Sequence, residues 1–530
     1  MSGLLWRLGL NRTATRRDAA TAMDAARRAL ASGDLSGAER ICANVLAAAP
    51  GDGRAWTLLT ETALQRDRPD AAIVCADRAV ALTPGEPIAH IMRAKCLFFS
   101  GEAGRALEAA ETAFKVIGSA PEALDALGAI FGLLGLHQRA ADLFRRAVAA
   151  RPDVPQYLFN LAATERMTGM LEAAEAHCDA AIALDRTYNL AHYLRSDLRV
   201  QTKDRNHIAE MEALIREGQP AWRGEVMLRF ALGKEYEDLD EHARAFAHVA
   251  AGSALQRRSI SYDGSAEIAE IDQIIRSQTR TWIATCPAGF SAADPVFVVG
   301  LPRTGTTLVE RIIASHSAMI SAGETGAFAV ELRRAMKGSA SRLDLSDIGR
   351  RYVGSVAAFG VPQNRRFVDK TLQNYLHCGI ILAALPRAKI ILVQRQPLDA
   401  CWAIHKALFL GKFLFSYDQA ELAEYYLAFR RLAQHWRSTL SPQALLEVNY
   451  EDIVRDQAAE SRRIIAFIGL PWEDEVLRFH ASAAPSATAS AVQVRRPVYA
   501  SSVGKWRHHA EALEPLRARL ACEIPAAELA

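Results

Sequence analysis

The chain has 530 residues, half of them hydrophobic and 23% charged, with a formal net charge of +3. That length exceeds one ordinary core and implies two or more domains. The near-neutral charge, without a dense Lys/Arg stripe, excludes a nucleic-acid binder from the expectations. The eight cysteines are scattered singly, with no C-x-x-C and no histidine at zinc spacing. They read as reduced thiols in a reducing compartment, and no metal site is expected.

Residues 1–16 carry a brief apolar start interrupted by arginine, too short for a secretory signal. No later stretch has the apolar length to span a bilayer. A flexible N-terminal tail, no transmembrane segment and a cytoplasmic location are expected.

From residue 17 the sequence repeats. Gly33, Gly101, Gly135 and Gly169 fall on one lattice of 34, with Asp67 at the missing node. Ala38, Ala72, Ala106, Ala140 and Ala174 form a second lattice, and Pro50, Pro84 and Pro152 a third. This period is the tetratricopeptide signature. Each unit is read as two antiparallel helices. The Gly or Asp node turns between them, the alanine allows close approach, and the proline ends the unit. Five clear repeats run to about residue 186. Residues 187–225 read as helical but off-register, and LGKEYEDLDEHARAFAHVAAG, with Leu232, Gly233, Tyr236, Asp240 and Ala245, reads as a degenerate sixth. A solenoid over 17–260 presents a concave face suited to a protein partner; the same array could brace the rest of the chain or make a homodimer.

The segment 261–294, rich in Pro, Gly, Ser and Ala toward its end, reads as a linker. From 295 the pattern changes to strands alternating with helices, which implies a parallel sheet covered on both faces. Strands are expected at Val296–Gly300, at RRFVDK ending on Lys370, at Lys389–Gln394 and at Leu445–Asn449, with a helix around Ala420–Trp436. The fold class is therefore an all-α repeat solenoid followed by an α/β, P-loop-like domain over 295–530.

The stretch PVFVVGLPRTGTTLVERIIASH is a strand, a glycine-containing turn and a helix, the build of a phosphate-binding loop. Gly300 and Gly305 take the glycine positions of G-x-x-x-x-G-K-[ST], but Thr306 replaces the lysine and Arg303 lies within the loop. Gly300, Arg395 and Tyr450 each follow a strand, where ligands bind in such sheets.

VVGLPRTGTT, AGET, DKT, VQRQPLDACWA, VNYEDIV and SAVQVRRPVYASSVGKW occur in this order. Together they resemble the sulfotransferase family, in particular the branch of tyrosylprotein sulfotransferases and of bacterial proteins with tetratricopeptide repeats ahead of that domain. The resemblance covers 295 to about 507. It implies a 3′-phosphoadenosine 5′-phosphosulfate donor, no metal, and a sulfuryl acceptor that is a peptide, glycan or small molecule. It implies donor contacts from Arg303, Thr304, Gly305, Thr306 and Thr307 on the 5′-phosphosulfate, with Arg303 also stabilising the transferring group. Glu324 takes the place of the general base, with His316, at the end of the loop's helix, as its rival. Lys370 takes that of the cation at the leaving phosphate. Arg395 corresponds to the 3′-phosphate arginine, Tyr450 lies near the adenine, Ser490 contacts the phosphosulfate, and Lys505 supports the 3′ side. The serine usually found eight residues after the 3′-phosphate arginine is here Ala403.

Two other readings stand beside this one. A nucleoside-triphosphate phosphotransferase is disfavoured by Thr306 in place of the loop lysine. A scaffold whose C-terminal domain is inactive is favoured only by Ala403.

Overall fold

The computed structural model describes residues 16–219, 221–291, 293–337, 343–362, 364–482, 484–486, 488 and 491–529. The expected N-terminal tail, apart from Arg16, and the candidate Ser490 lie outside the described residues. The chain divides into two compact units between Pro152 and Asp153.

The first unit holds four helix pairs: α1 (Arg16–Ala31) and α2 (Leu35–Ala48), α3 (Gly53–Gln65) and α4 (Pro69–Leu82), α5 (Pro87–Phe99) and α6 (Ala103–Val116), α7 (Pro121–Leu133) and α8 (His137–Ala150). The lattice residues do what their chemistry suggests. Gly33, Asp67, Gly101 and Gly135 turn between the paired helices at φ of +81°, +53°, +77° and +75°. Ala38, Ala72, Ala106 and Ala140 are fully buried, where a longer side chain would separate the helices. Pro50, Pro84 and Pro152 each lie two residues beyond a helix end, where no amide is needed.

The second unit starts with a fifth pair, α9 (Pro155–Thr168) and α10 (Leu171–Leu184), turned by Gly169 at φ +91°. Short α11 (Asn189–Asp197) and α12 (Ile208–Glu217) occupy the off-register stretch. The sixth pair is α13 (Trp222–Asp238) and α14 (His242–Arg258), with Asp240 at φ +61° in the turn and Ala245 buried. Within the stretch read as linker, the structure instead has α15 (Ser265–Ser277) and α16 (Arg280–Thr285). Ile268, Ile271, Ile274 and Ile275 share helical spacing there, and Ile271 and Ile274 are buried. The Pro and Gly that suggested a linker come only after Cys286.

The sheet is parallel, in the order β2-β3-β1-β4-β5, from β1 (Val296–Val299), β2 (Met319–Gly323), β3 (Arg366–Asp369), β4 (Lys389–Gln394) and β5 (Leu445–Asn449). Between them lie α17 (Thr306–Ala314), α18 (Ala327–Lys337), α19 (Leu345–Val356), α20 (Cys378–Ala384), α21 (Pro397–His405) and α22 (Gln419–Thr439); α23 (Tyr450–Arg455) follows β5. β1 is buried along its whole length and feeds both faces. Val296 and Val298 join Ile391 and Val393 on one, while Phe297 and Val299 join Ile390 and Leu392 on the other. The second cluster also contains Val226, Phe230 and Val249 from α13 and α14 and Ile271 and Ile274 from α15. The sixth helix pair and α15 therefore share a core with the sheet.

β2 has no counterpart in the sequence reading. MISAG lacks a β-branched run, only Met319 is fully buried, and β2 pairs on one side alone. It is the edge on which Glu324 follows.

Candidate active site at the carboxyl edge of the sheet

All five strands run the same way, so residues that follow them emerge along one edge. In spatial order these are Glu324 after β2, Lys370 after β3, the Gly300–Thr307 loop after β1, Arg395 after β4 and Tyr450 after β5. The chain leaves β1 toward β2 on one side and leaves β4 toward β5 on the other, so the switch point where open parallel sheets bind ligands falls between the neighbouring strands β1 and β4.

The loop is shaped by backbone constraints. A Cβ on Gly300, at φ +153°, would stand 2.5 Å from the Val393 carbonyl oxygen. Gly305 caps α17 at φ +99°, and no side chain caps that helix. A Cβ on Gly305 would come within 2.7 Å of the Tyr450 ring. Arg303 also lies at positive φ, +64°, an uncommon conformation for a residue with a side chain. Its Nη2 donates to Gln493 Oε1 at 3.0 Å. Burial pulls the Arg303 guanidinium below its usual pKa, with Asp197 opposing the shift and Arg395 adding to it. Thr304 spends its hydroxyl inside the loop on the Leu301 carbonyl at 2.7 Å. Thr306 and Thr307 occupy the first turn of α17, and Thr307 Oγ1 lies 3.4 Å from Thr488 Oγ1.

Lys370 is 1% exposed and its ammonium donates to the Glu324 carboxylate, with Glu310 3.9 Å away on α17. Glu310 in turn accepts from Ser321. A buried ammonium between two carboxylates is electrostatically compensated, and the Glu324 side chain keeps 39% of its surface exposed. Asp369 aligns this pair. It is fully buried and accepts from Thr325 Oγ1 at 2.8 Å, Tyr352 Oη at 2.9 Å and the Thr371 amide at 2.8 Å. Burial raises its pKa while those bonds oppose the rise. Thr325 and Thr371 are the immediate neighbours of Glu324 and Lys370, so the one carboxylate ties both segments, the first through a side-chain hydroxyl and the second through a backbone amide.

His316 is committed elsewhere. Its Nε2 meets the Pro471 carbonyl at 2.9 Å and its Nδ1 accepts from the Ala318 amide at 3.0 Å, and the ring is 2% exposed.

Across the sheet, Arg395 donates from Nη1 to the Arg303 carbonyl at 3.1 Å and from Nη2 to the Ser502 carbonyl. Its Nε is buried without a hydrogen-bond partner, and its guanidinium carbon lies 5.0 Å from the centre of the Tyr450 ring. Tyr450 Oη meets Ser502 Oγ at 2.5 Å. Ala403 is buried on α21. Asp399, on the same helix, accepts from the Gly504 amide at 2.5 Å and the Trp506 amide at 3.1 Å, which fixes the approach to Lys505. Lys505 Nζ is 3.9 Å from the Glu237 carboxylate, which also receives Lys406 at 2.6 Å. Against the upward push of burial, Lys406 and Lys505 hold Glu237 down to about 2.

Asp369, Asp399, Ser502, Gln493, Glu237 and Lys406 were missed by sequence reasoning. Asp369 and Asp399 sit inside the quoted segments DKT and VQRQPLDACWA, one residue before Lys370 and four after Arg395. Those short spacings were a usable signal. Glu237, far away in the repeat region, carried none.

A cavity of about 780 Å³ lies beside Trp506, lined by Glu514, Arg517, Ile524 and Leu529 among others. None of the strand-end residues lines it, so the candidate edge is picked out by topology and hydrogen bonding. Among the described residues, no group of three His, Cys, Asp or Glu could hold a metal ion, and no helix is long and apolar enough to cross a membrane.

Residues 295–474 match the sulfotransferase family. Residues 29–96, 91–155 and 134–189 match tetratricopeptide repeat families. An uncharacterized protein of Aquifex aeolicus (strain VF5) is 28% identical over 398 residues, 71% of this chain and 52% of its own length. The chain thus spans about half of that relative. Among solved structures, a thermophilic TPR protein of Thermus thermophilus is similar with a TM-score of 0.31 and 19% identity, over 34% of this chain and 98% of that one. A tetratricopeptide repeat protein from Parabacteroides merdae is similar with a TM-score of 0.32 and 17% identity, over 45% and 93%.

Proposed function

We propose that this chain, which joins tetratricopeptide repeats to a sulfotransferase-family domain, transfers a sulfuryl group from 3′-phosphoadenosine 5′-phosphosulfate to an acceptor hydroxyl, with Glu324 as the general base. The observation that carries this reading is the buried Lys370 paired with Glu324 at the same sheet edge as the phosphate-type loop.

The residues fit such a donor. The α17 N-terminus, uncapped by any side chain, suits a 5′-phosphate group. Arg395, with a buried and unpartnered Nε, suits the 3′-phosphate. Ser502 brings a hydroxyl beside Arg395 and Tyr450, in place of the one absent at Ala403. When bound, the donor supplies an electrophilic sulfur with a phosphate as its leaving group. Glu324 takes the acceptor's proton on a carboxylate oxygen as the hydroxyl attacks. Lys370 and Arg303 hold positive charge where negative charge develops. Asp369 keeps the base and the lysine in register throughout.

The acceptor belongs to the peptide, glycan or small-molecule hydroxyls, and the repeat face is a surface for a protein partner.

Titration of the full chain with adenosine 3′,5′-bisphosphate and with ATP tests the reading. Binding of the first and not the second is expected. Binding of ATP alone would favour a phosphotransferase. Binding of neither would favour the scaffold reading, for which the buried Ala403 is the supporting observation.

A further inference from the structure

Residues 491–509 cross the carboxyl edge of the sheet. Gln493 accepts from Arg303, Ser502 accepts from Arg395, and the Gly504 and Trp506 amides donate to Asp399. The first turn of this segment, Gln493–Arg495, is fastened from elsewhere. Arg495 Nη2 donates to the Met167 carbonyl at 2.8 Å, and the same carbonyl accepts from the Ser486 amide at 2.9 Å. Arg166, its neighbour, reaches the Thr488 carbonyl at 3.4 Å. Arg166 and Met167 lie in the last turn of α9, within the fifth repeat.

The glycine that ends this helix carries the more telling observation. Gly169 lies at φ +91°, and a Cβ there would stand 2.6–2.8 Å from three atoms of the Arg495 guanidinium group. Gly33 and Gly135 occupy the same node of earlier repeats with the same left-handed backbone, and a Cβ on either would meet nothing within 4 Å. The repeat explains a left-handed residue at 169. The guanidinium lying against it is an additional constraint, particular to this repeat.

We infer that Arg495 is a positioning residue: by bonding the last turn of α9 it holds Gln493 against Arg303, so that the fifth repeat is a working part of the donor site. The inference rests on the donor reading above. Arg303 has a left-handed backbone and meets the Gln493 amide, so its aim depends on where that turn is held. A tether lost at Arg495 releases the turn from which Gln493 projects, two residues earlier, without removing any group that touches donor.

The test uses the full chain, with adenosine 3′,5′-bisphosphate titration, steady-state kinetics, and backbone hydrogen exchange over 491–509 in the absence of ligand. Arg495→Ala should raise exchange in that segment and weaken bisphosphate binding about ten-fold. It should raise the donor KM more than it lowers kcat. Arg495→Lys, which keeps a donor for the Met167 carbonyl, should recover most of the loss. Gly169→Ala should imitate Arg495→Ala, while Gly135→Ala should leave bisphosphate affinity unchanged. Unaltered binding and exchange in Arg495→Ala would overturn the inference alone. So would equal losses in Gly169→Ala and Gly135→Ala, because left-handed strain would then be the whole cause. A wild-type chain that does not bind the bisphosphate would overturn both this inference and the donor reading.

Discussion

The turns of the repeats and the loop after β1 both use left-handed backbone, for different reasons. Gly135 turns between two helices with open space around it. Gly300 and Gly305 turn where a carbonyl oxygen from β4 and a ring from β5's end leave no room for a side chain. The first kind of site is local, repeats with the chain, and tolerates change at the cost of backbone strain. The second is made by segments about ninety and one hundred and fifty residues away, Val393 and Tyr450, and a change there disturbs the carboxyl edge of the sheet. Substitutions at the sheet edge should therefore alter chemistry and binding, and substitutions in the first unit should alter stability alone.

The largest effect expected from that contrast is on turnover. Glu324→Gln should lower kcat by about 10²–10⁴-fold while bisphosphate binding persists, measured by sulfuryl transfer and calorimetry on the same preparation. A variant with normal turnover would remove Glu324 as the base. Next in size, Arg395→Ala should weaken a ligand bearing a 3′-phosphate by roughly 10–100-fold relative to adenosine 5′-phosphate, the range of a charged hydrogen bond. Equal weakening of both ligands would mean that Arg395 only holds the loop through the Arg303 carbonyl.

On the other side of the comparison, Ala106→Leu forces bulk into a fully buried helix contact of the first unit. It should cost about 1–3 kcal/mol, visible as a lower thermal midpoint for that unit, with bisphosphate affinity unchanged. A loss of affinity would show that the two regions do not separate as argued. Gly135→Ala should cost less, about 1–2 kcal/mol of left-handed strain.

The last predicted effect shows only in acid, as a pH dependence of stability. Glu237 falls from its ordinary 4.5 to about 2 because Lys406 and Lys505 outweigh its burial. A carboxylate held low in the folded state adds stability that is complete above about 4.5 and disappears as pH falls through 2. Glu237→Gln should therefore flatten the acid limb of the stability curve between these values. An unchanged limb would mean that other groups carry it.

The repeat half was legible because its information is local. Each node of the 34-residue lattice meets its constraint within its own turn: Gly101 needs only a positive φ, and Ala106 only a near neighbour on the paired helix. β1, β4 and β5 were legible as apolar runs. β2 was not, because an edge strand of small residues has no such run, and α15 was hidden by the Pro and Gly that follow it. Glu324 and Lys370 could be singled out by motif, but Asp369 as the residue that aligns them could not. Its role depends on Tyr352 and Thr325 arriving from other segments.

The sequence by itself determined the helix-pair architecture, the phosphate-type loop and the residue types that follow the strands. Short-range periodicity and spacing encode those features directly. The tertiary structure decided that Lys370 pairs with Glu324, that Arg395 is shared between the loop carbonyl and Ser502, and that the end of the fifth repeat carries Arg495. These depend on strand order and on contacts between residues far apart in the chain, which no local pattern records.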